Sequence, residues 1–358
     1  MSRLPPLPTI QEIIRIYGLS ARKQLSQNFL LDMNLTDKIV RAAGKLDSRV
    51  VIEVGPGPGG ITRSILNTSA SRLIVIEKDK RFLPSLQILK ETSNHRMEVI
   101  HGDVLDFNLQ SLLSMDYKTE WKDRLPNIHI IGNLPFSVST PLIIQWLRSM
   151  SKMSGAWSYG RTPCTLTFQK EVAERIIAPP KSEYRCRLSV MCQYLCDTKL
   201  KFTIPGKAFV PPPEVDVGVV KFVPLKEPLI HQPFALVEKV CRHLFNTPNK
   251  YFIRGVRSLF PVERDDLSSQ IMEMCGLNPQ MRAFELSVQE IGQICDAYAK
   301  IVEKEPEILT YDVRDNRKVP RWKNTEIVTS DIEAKILNGS LEAEETESEQ
   351  YANFNNSK

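Results

Sequence analysis

The sequence predicts an α/β fold with a mainly parallel sheet, followed by a smaller domain that is all-helical. From about residue 50 to 225, short apolar runs alternate with helical patterns, as is typical of βα units. Beyond residue 225, apolar residues recur with helical spacing and no further run has the pattern of a strand. The chain has 358 residues, which is long enough for two packed cores.

Short apolar runs give the predicted strands, at 50–54, 73–76, 97–100, 128–132, 165–169, 201–204 and 217–222. Helices are expected at 60–66 and 171–177, each directly after a strand. No regular structure is expected at 205–213, because the prolines of this stretch lack a backbone donor and restrict the chain.

Helical periodicity predicts the later helices, at 234–245, 251–259, 267–275 and 288–301, with a loop at 279–286 before the last. The predicted organisation is an N-terminal segment at 1–23, an α/β domain at 24–225, a helical domain at 226–302 and a tail at 303–358. The tail contains the acidic run SLEAEETESEQ and few apolar residues, so we expect it to be disordered.

The charge is distributed unevenly along the chain. The net charge is +5, but residues 331–358 contain seven acids and two lysines, which leaves +10 on residues 1–330. A basic body with an acidic tail suits a protein that binds a polyanion, although charge alone does not distinguish this from an ordinary solvated surface. No apolar run approaches the roughly 18 residues of a membrane span, so no membrane partner is expected.

Seven cysteines are scattered without CxxC pairs, and the five histidines have no metal-ligand spacing. This pattern argues against a disulfide framework and against a metal site. We therefore expect buried thiols, a reducing compartment and no metal ion.

The N-terminus allows more than one interpretation. Four basic residues stand against the single acid Glu12 in the first 25 positions, and apolar residues recur there with helical spacing. Such a segment is typical of a mitochondrial transit peptide. The same pattern fits an ordinary N-terminal helix of the fold, or an arm that contacts RNA, and the sequence leaves these alternatives open.

A glycine-rich turn follows the first predicted strand, in VIEVGPGPGG at 51–60. A strand that enters such a turn before a helix lets the backbone approach a ligand closely. Gly55, Gly57 and Gly60 fit the GxGxxG pattern of dinucleotide sites. The turn alone cannot separate a nicotinamide dinucleotide from S-adenosylmethionine.

Acidic residues follow the next two strands at fitting positions. Glu77 ends the second strand, 22 residues after Gly55, where a carboxylate can accept from both ribose hydroxyls. Asp103 follows the third strand and could accept from the exocyclic amine of an adenine, with the Val104 N–H nearby. Because the ends of parallel strands meet at one edge of a sheet, these groups predict a nucleoside site there.

The fourth strand ends in Asn133-Leu134-Pro135-Phe136. The N6 atom of adenine is a poor nucleophile because its lone pair is delocalised into the ring. Two acceptors on its hydrogens, the Asn133 side-chain oxygen and the Leu134 carbonyl, would favour a pyramidal nitrogen. Pro135 would fix the turn that aims this carbonyl, and Phe136 would stack on a base taken out of its helix. The alternative is a turn in which Asn133 caps the next helix and Phe136 packs in the core.

Together these motifs resemble the ribosomal RNA adenine dimethyltransferases, and most closely the mitochondrial members of that family. Further segments agree, namely QLSQNFLLD at 24–32, FQKEVAER at 168–175, RLSVMCQY at 187–194, AFVPPPEV at 208–215 and the strand at 217–222. The resemblance covers about residues 20 to 300. It implies a class I (Rossmann-like) methyltransferase sheet of seven strands with a C-terminal helical domain, and S-adenosylmethionine as the cofactor.

The resemblance also implies a substrate and a location. The substrate would be two adjacent adenines in a stem-loop near the 3′ end of the mitochondrial small-subunit rRNA, methylated in the pre-ribosomal small subunit. The protein would act as a monomer in the mitochondrial matrix.

Residue roles carry over by motif. The residues that the resemblance assigns to the cofactor are Asn28, Leu30, Gly55, Gly57, Glu77, Lys78, Asp103, Val104 and Asn133. The residues from Asn133 to Phe136 would face the target base, and Phe209 would sandwich that base opposite Phe136. The residue types alone also allow Phe209 to be a buried anchor of its loop.

One segment departs from the family pattern. Relatives usually carry an Arg-Arg-Lys cluster at the start of the helical domain, whereas this chain reads FNTPNKYFIR at 245–254. Lys250, Arg254 and Arg257 remain as candidate RNA-binding residues, but the paired arginines are absent, which puts RNA binding by this loop in doubt.

Two other functions compete with methyl transfer. A non-catalytic nucleic-acid-binding factor for the mitochondrial transcription machinery is consistent with the altered basic loop. It would not need two acceptors directed at N6. A nicotinamide oxidoreductase is consistent with GxGxxG alone, and the sequence offers no His or Lys positioned for hydride relay.

Overall fold

The structure is a computed structural model that describes residues 4–19 and 28–313. Its strands are β1 (Phe29–Leu30), β2 (Val50–Val54), β3 (Arg72–Glu77), β4 (Met97–His101), β5 (Ile128–Gly132), β6 (Cys164–Gln169), β7 (Cys196–Ile204), β8 (Phe209–Val210) and β9 (Val217–Pro224). Its helices are α1 (Ile10–Ile16), α2 (Met33–Ala43), α3 (Gly60–Leu66), α4 (Leu83–Glu91), α5 (Phe136–Ser151), α6 (Lys170–Ile177), α7 (Arg187–Gln193), α8 (Phe234–Leu244), α9 (Ile253–Arg257), α10 (Asp265–Cys275) and α11 (Val288–Lys304).

Within the described residues, seven strands form one sheet in the order β4-β3-β2-β5-β6-β9-β7. Neighbours from β4 to β6 are parallel, and β9 pairs antiparallel with both β6 and β7. Strands β2 and β5 are buried along their whole length, because helices cover both faces of the sheet. The prediction of a seven-stranded α/β sheet followed by helices is confirmed.

Two apolar cores lie on opposite faces of this sheet. One contains buried residues of α2, α3 and α4, and the other contains those of α5 and α7 and continues into α8 to α11. The two cores are therefore divided by the sheet rather than by the predicted boundary at 225/226. No helix of the described part is long and apolar enough to cross a membrane.

The prediction that 205–213 has no regular structure is wrong from 206 to 210, where Gly206–Ala208 form a 3₁₀ turn that leads into a short strand. Phe209 and Val210 form β8, which pairs antiparallel with β1, Leu30 opposite Phe209. Strand β7 also begins at Cys196, earlier than the predicted start at 201. Its first residues alternate between exposed charged side chains and partly buried ones, so they form no apolar run that would have indicated a strand. The pairing of β7 with β9 shifts its register between Leu200 and Phe202.

The N-terminal helix packs against the α/β domain. Thr9 and Glu12 form a capping box at the start of α1, and Ile10 and Ile13 are buried. The Arg63 guanidinium donates to the Pro8 carbonyl at 2.6 Å. Of the alternatives for this segment, the packing of residues 4–19 favours an ordinary helix of the fold. The rest of the predicted segment 1–23 lies outside the described residues.

The ordered helical domain, which the sequence predicted to end at 302, extends further along the chain. Helix α11 continues to Lys304, and a 3₁₀ turn at Pro306–Thr310 buries Ile308. The Lys239 ammonium donates to the carbonyls of Ile308, Leu309 and Tyr311 at 3.2, 2.7 and 2.8 Å. The prediction of a disordered tail is therefore wrong from 303 to 311, and residues 314–358 lie outside the described part.

Candidate active site

A pocket of about 560 Å³ opens at the edge of the sheet where β2, β3, β4 and β5 end. It brings together every residue that the sequence assigned to the cofactor or the target base: Asn28, Leu30, Gly55, Gly57, Glu77, Lys78, Asp103, Val104, Asn133, Leu134, Pro135, Phe136 and Phe209. Lys250, Arg254 and Arg257 do not line it. Residues 24–27 of the segment QLSQNFLLD lie outside the described part.

The glycine-rich turn forms one wall of the pocket. Gly55 has a φ of +65°, a left-handed conformation that favours glycine, and a Cβ on it would lie 2.7 Å from Leu134 Cδ2. A Cβ on Gly60 would lie 2.9 Å from the Leu30 carbonyl oxygen. Glycine at these positions therefore lets the turn lie directly against the NLPF motif and against the segment that follows Asn28.

Glu77 is buried at the end of β3, with 6% of its surface exposed. Its Oε2 accepts from the Gly57 N–H at 2.9 Å, and its Oε1 accepts from the Asp79 N–H at 2.7 Å. Burial raises the pKa of Glu77, and the hydrogen bonds from Asp79 and Gly57 oppose that rise. Each oxygen keeps a second lone pair, so the carboxylate can still accept from two ribose hydroxyls.

A second buried acid, Glu53, lines the pocket and was not identified from the sequence. Its Oε2 accepts from the Thr62 hydroxyl at 2.7 Å. Burial raises the pKa of Glu53 to about 8, against the effect of the Thr62 hydrogen bond, so the group is mainly neutral near pH 7. An acid inside the otherwise apolar strand VVIEV was the signal that could have revealed it.

Asp103 has partners within the protein at the mouth of the pocket. Its Oδ2 lies 2.5 Å from the Lys78 ammonium, and its Oδ1 accepts from the Leu105 N–H at 3.1 Å. The hydrogen bond and the charge of Asp103 raise the pKa of Lys78. An adenine amine that binds Asp103 would therefore share or replace the contact with Lys78.

The NLPF motif leads from β5 into α5. The Asn133 Oδ1 accepts from the hydroxyl of Thr167, on the neighbouring strand β6, at 2.7 Å. No residue of the described ranges 4–19 and 28–313 donates to the Leu134 carbonyl. Pro135 occupies the N-cap of α5, and the half-buried Phe136 is its first residue. Both predicted acceptors therefore lie at the pocket, and Thr167 is a partner that the sequence did not reveal.

Phe209 is 2% exposed and belongs to the apolar core on the face of the sheet that α2, α3 and α4 cover. The partly buried Phe136 packs against the same core. The structure thus gives Phe209 the buried position of a loop anchor, and also places it in the pocket lining. Both sequence interpretations are compatible with this position.

The candidate RNA-binding residues lie on the helical domain. Lys250, Arg254 and Arg257 are exposed around the short helix α9. The Arg257 Nε lies 3.1 Å from the Asp265 Oδ1, so this cation is partly neutralised within the protein.

The profile of the family described as "Ribosomal RNA adenine dimethylase" matches residues 18–300. The chain is 53% identical over 332 residues to dimethyladenosine transferase 1, mitochondrial, of Homo sapiens, covering 92% of this chain and 96% of that protein. It is 48% identical over 322 residues to the protein of the same name from Drosophila melanogaster, covering 88% and 95%.

Two solved structures share the fold. A dimethyladenosine transferase from Plasmodium falciparum superposes with a TM-score of 0.57 at 21% identity, covering 75% of this chain and 96% of that one. The 23S rRNA methyltransferase ErmE gives a TM-score of 0.53 at 19% identity, covering 75% and 99%.

Proposed function

The chain belongs to the ribosomal RNA adenine dimethylase family, and we propose that it dimethylates N6 of two adjacent adenines in a stem-loop near the 3′ end of the mitochondrial small-subunit rRNA. It is a mitochondrial rRNA adenine dimethyltransferase that uses S-adenosylmethionine. The single observation that supports the proposed chemistry is the position of Asn133 and Leu134, which follow β5 and line the pocket.

The pocket fits S-adenosylmethionine. The glycine-rich turn, which has no side chain at Gly55 and Gly57, lies against a buried acid, Glu77, whose two oxygens retain lone pairs. In our proposal Glu77 binds the ribose, Asp103 and Val104 bind the adenine, and the turn at Gly55 and Gly57 approaches the methionine part. Asn28 and Leu30 cover the cofactor from the opposite wall, and Lys78 adjusts its position through Asp103.

Methyl transfer then depends mainly on positioning. When bound, S-adenosylmethionine supplies a methyl group that its sulfonium already activates. The Asn133 side-chain oxygen and the Leu134 carbonyl accept the two hydrogens of N6, which favours a localised lone pair on that nitrogen. Phe136 stacks on the target base, and Phe209 completes the wall behind it. No general base is required, because the methylated nitrogen is acidic enough to lose its proton to water.

The two methyl additions are sequential. After the first addition the spent cofactor must leave, and the N6 group must rotate so that its lone pair faces a new methyl donor. We infer that the rRNA is bound within the pre-ribosomal small subunit in the mitochondrial matrix, by a monomer of this chain. The intact NLPF motif argues against a purely non-catalytic role with the transcription machinery.

The test is methyl transfer from labelled S-adenosylmethionine to a small-subunit rRNA stem-loop. Wild-type protein should form dimethyladenosine, and Asn133→Ala should lose orders of magnitude in rate while it still binds the cofactor. A stem-loop with guanines in place of the two adenines is the substrate control. If the wild-type protein binds both RNA and cofactor tightly but forms no product, the proposed reaction on this substrate is wrong.

A further inference from the structure

Strand β6 carries two buried threonines whose hydroxyls reach the neighbouring strand β5 or the motif that follows it. The Thr165 hydroxyl lies 3.0 Å from the His129 Nε2, and the Thr167 hydroxyl donates to the Asn133 Oδ1 at 2.7 Å. Both threonines are at most 1% exposed. The contact of Thr165 does not involve the NLPF motif (residues 133–136), whereas the contact of Thr167 involves the first residue of that motif.

The register of the sheet determines which threonine reaches Asn133. The parallel pairing of β5 with β6 ends at Gly132 opposite Leu166, so the next two positions are Asn133 and Thr167. Side chains alternate along a strand, and Leu166 packs in the core on the opposite face. Thr165 and Thr167 therefore share a face of the sheet with Ile131 and Asn133.

We propose, given the proposed role of Asn133, that Thr167 is a positioning residue for methyl transfer, whose hydroxyl fixes the Asn133 amide with its oxygen facing the target amine. The terminal torsion of an asparagine is broad, and exchange of its oxygen and nitrogen changes its outline little. An amide turned the other way would present N–H donors to the hydrogens of N6. In the structure the Thr167 hydroxyl donates to the amide oxygen, and this hydrogen bond holds the orientation that the proposed reaction needs.

The Thr167 contact leaves Asn133 able to act. A carboxamide oxygen has two lone pairs, so one hydrogen bond from Thr167 leaves one for an N6 hydrogen. A buried, β-branched strand position is served equally well by valine, which has nearly the shape of threonine. If the site used only the shape of the side chain, valine at 167 would therefore support the wild-type rate.

The experiment compares Thr167→Val with Thr167→Ser, and uses Thr165→Val as the matched control. Thr165 lies two residues earlier on the same strand, is equally buried, and its hydroxyl also forms a hydrogen bond with a side chain of β5. Rates at saturating RNA and cofactor, both KM values, the cofactor Kd and the melting temperature are measured for each variant.

Thr167→Val should lower kcat by about ten- to a hundredfold, the usual effect of removing a group that orients an active residue, while the KM for RNA and the cofactor Kd stay within about twofold. Thr167→Ser should restore most of kcat. Thr165→Val should lower the melting temperature without lowering kcat. The double variant with Asn133→Ala should be no slower than Asn133→Ala alone, because the two residues act as a unit.

The inference is overturned if Asn133→Ala is inactive while Thr167→Val keeps the wild-type kcat. It is also overturned if Thr165→Val and Thr167→Val lower kcat equally, since the role of both would then be structural. Activity retained by Asn133→Ala would instead refute the proposed function of that residue, whatever Thr167→Val shows.

Discussion

Glu77 holds the glycine-rich turn in place, because its Oε2 accepts the backbone N–H of Gly57 at 2.9 Å. Its other oxygen holds the turn after β3 through the Asp79 N–H. The carboxylate proposed to bind ribose thus also shapes the wall against which the ribose would lie. Loss of its charge should affect both binding and local structure.

Glu77→Gln tests this double role. The amide offers one acceptor oxygen in place of two, so one of the two backbone N–H groups loses its partner and a ribose hydroxyl loses its acceptor. We expect cofactor affinity to fall by about ten- to a hundredfold, measured by calorimetry. Glu98→Gln, at a more exposed glutamate on β4, is the control and should bind normally. Equal affinity of Glu77→Gln and wild type would contradict the assignment.

Gly55→Ala should weaken both stability and cofactor binding. The substitution meets a positive φ and also a clash with Leu134 Cδ2, whereas Gly276 has a similar φ of +61° with nothing within 4 Å. Alanine at 276 should cost about 1 kcal/mol of unfolding free energy, and alanine at 55 should cost more, by about 1–3 kcal/mol, because the neighbour must move. Denaturant unfolding measures both, and equal losses would show that the contact with Leu134 is unimportant.

The raised pKa of Glu53 predicts a specific pH dependence. Its folded-state pKa of about 8 exceeds the ordinary value of 4.5, so the folded state holds this proton more tightly than the unfolded state. The contribution of this proton to stability is complete below about pH 4.5 and is lost as the pH rises towards 8. Glu53→Gln keeps an acceptor for Thr62 and removes the titration.

The free energy of unfolding of Glu53→Gln, taken relative to that of the wild type, should therefore increase by about 2 kcal/mol between pH 6.5 and 8, at about 1.4 kcal/mol per pH unit. Unfolding free energies of the two proteins at several pH values measure this difference. Because every other titrating group is common to both proteins, a difference that does not change with pH would refute the raised pKa.

The exposed cations around α9 should contribute unequally to RNA binding. Each phosphate contact adds about 0.7–0.9 to the slope of log affinity against log salt, so Lys250→Gln and Arg254→Gln should each reduce that slope. Arg257→Gln should have a smaller effect, because Asp265 already neutralises part of its charge. Fluorescence anisotropy between roughly 50 and 200 mM salt measures the slopes. Unchanged slopes for Lys250→Gln and Arg254→Gln would show that the surface around α9 does not bind RNA phosphates.

The sequence was most informative where a short run of residues determines the structure. Strands β2 and β5 have the predicted bounds, because continuous apolar runs between turn residues leave little freedom. Partners far apart in sequence were not predictable. Residues 29–30 pair with 209–210, and the contact between Thr167 and Asn133 depends on a strand register that no local pattern encodes. The burial of Lys239 was equally unpredictable from the sequence, since a lysine on a helix ordinarily lies in solvent.

The position of β9 has a consequence for synthesis of the chain. Residues 164–169 emerge from the ribosome before residues 217–224, so β6 has an open edge until β9 arrives to pair with it. That edge, CTLTFQ, carries no charge, and such edges promote association with other chains. A nascent chain that has completed β6 but not yet reached β9 therefore exposes an edge that favours aggregation, and fragments that end in this interval should aggregate rather than methylate RNA.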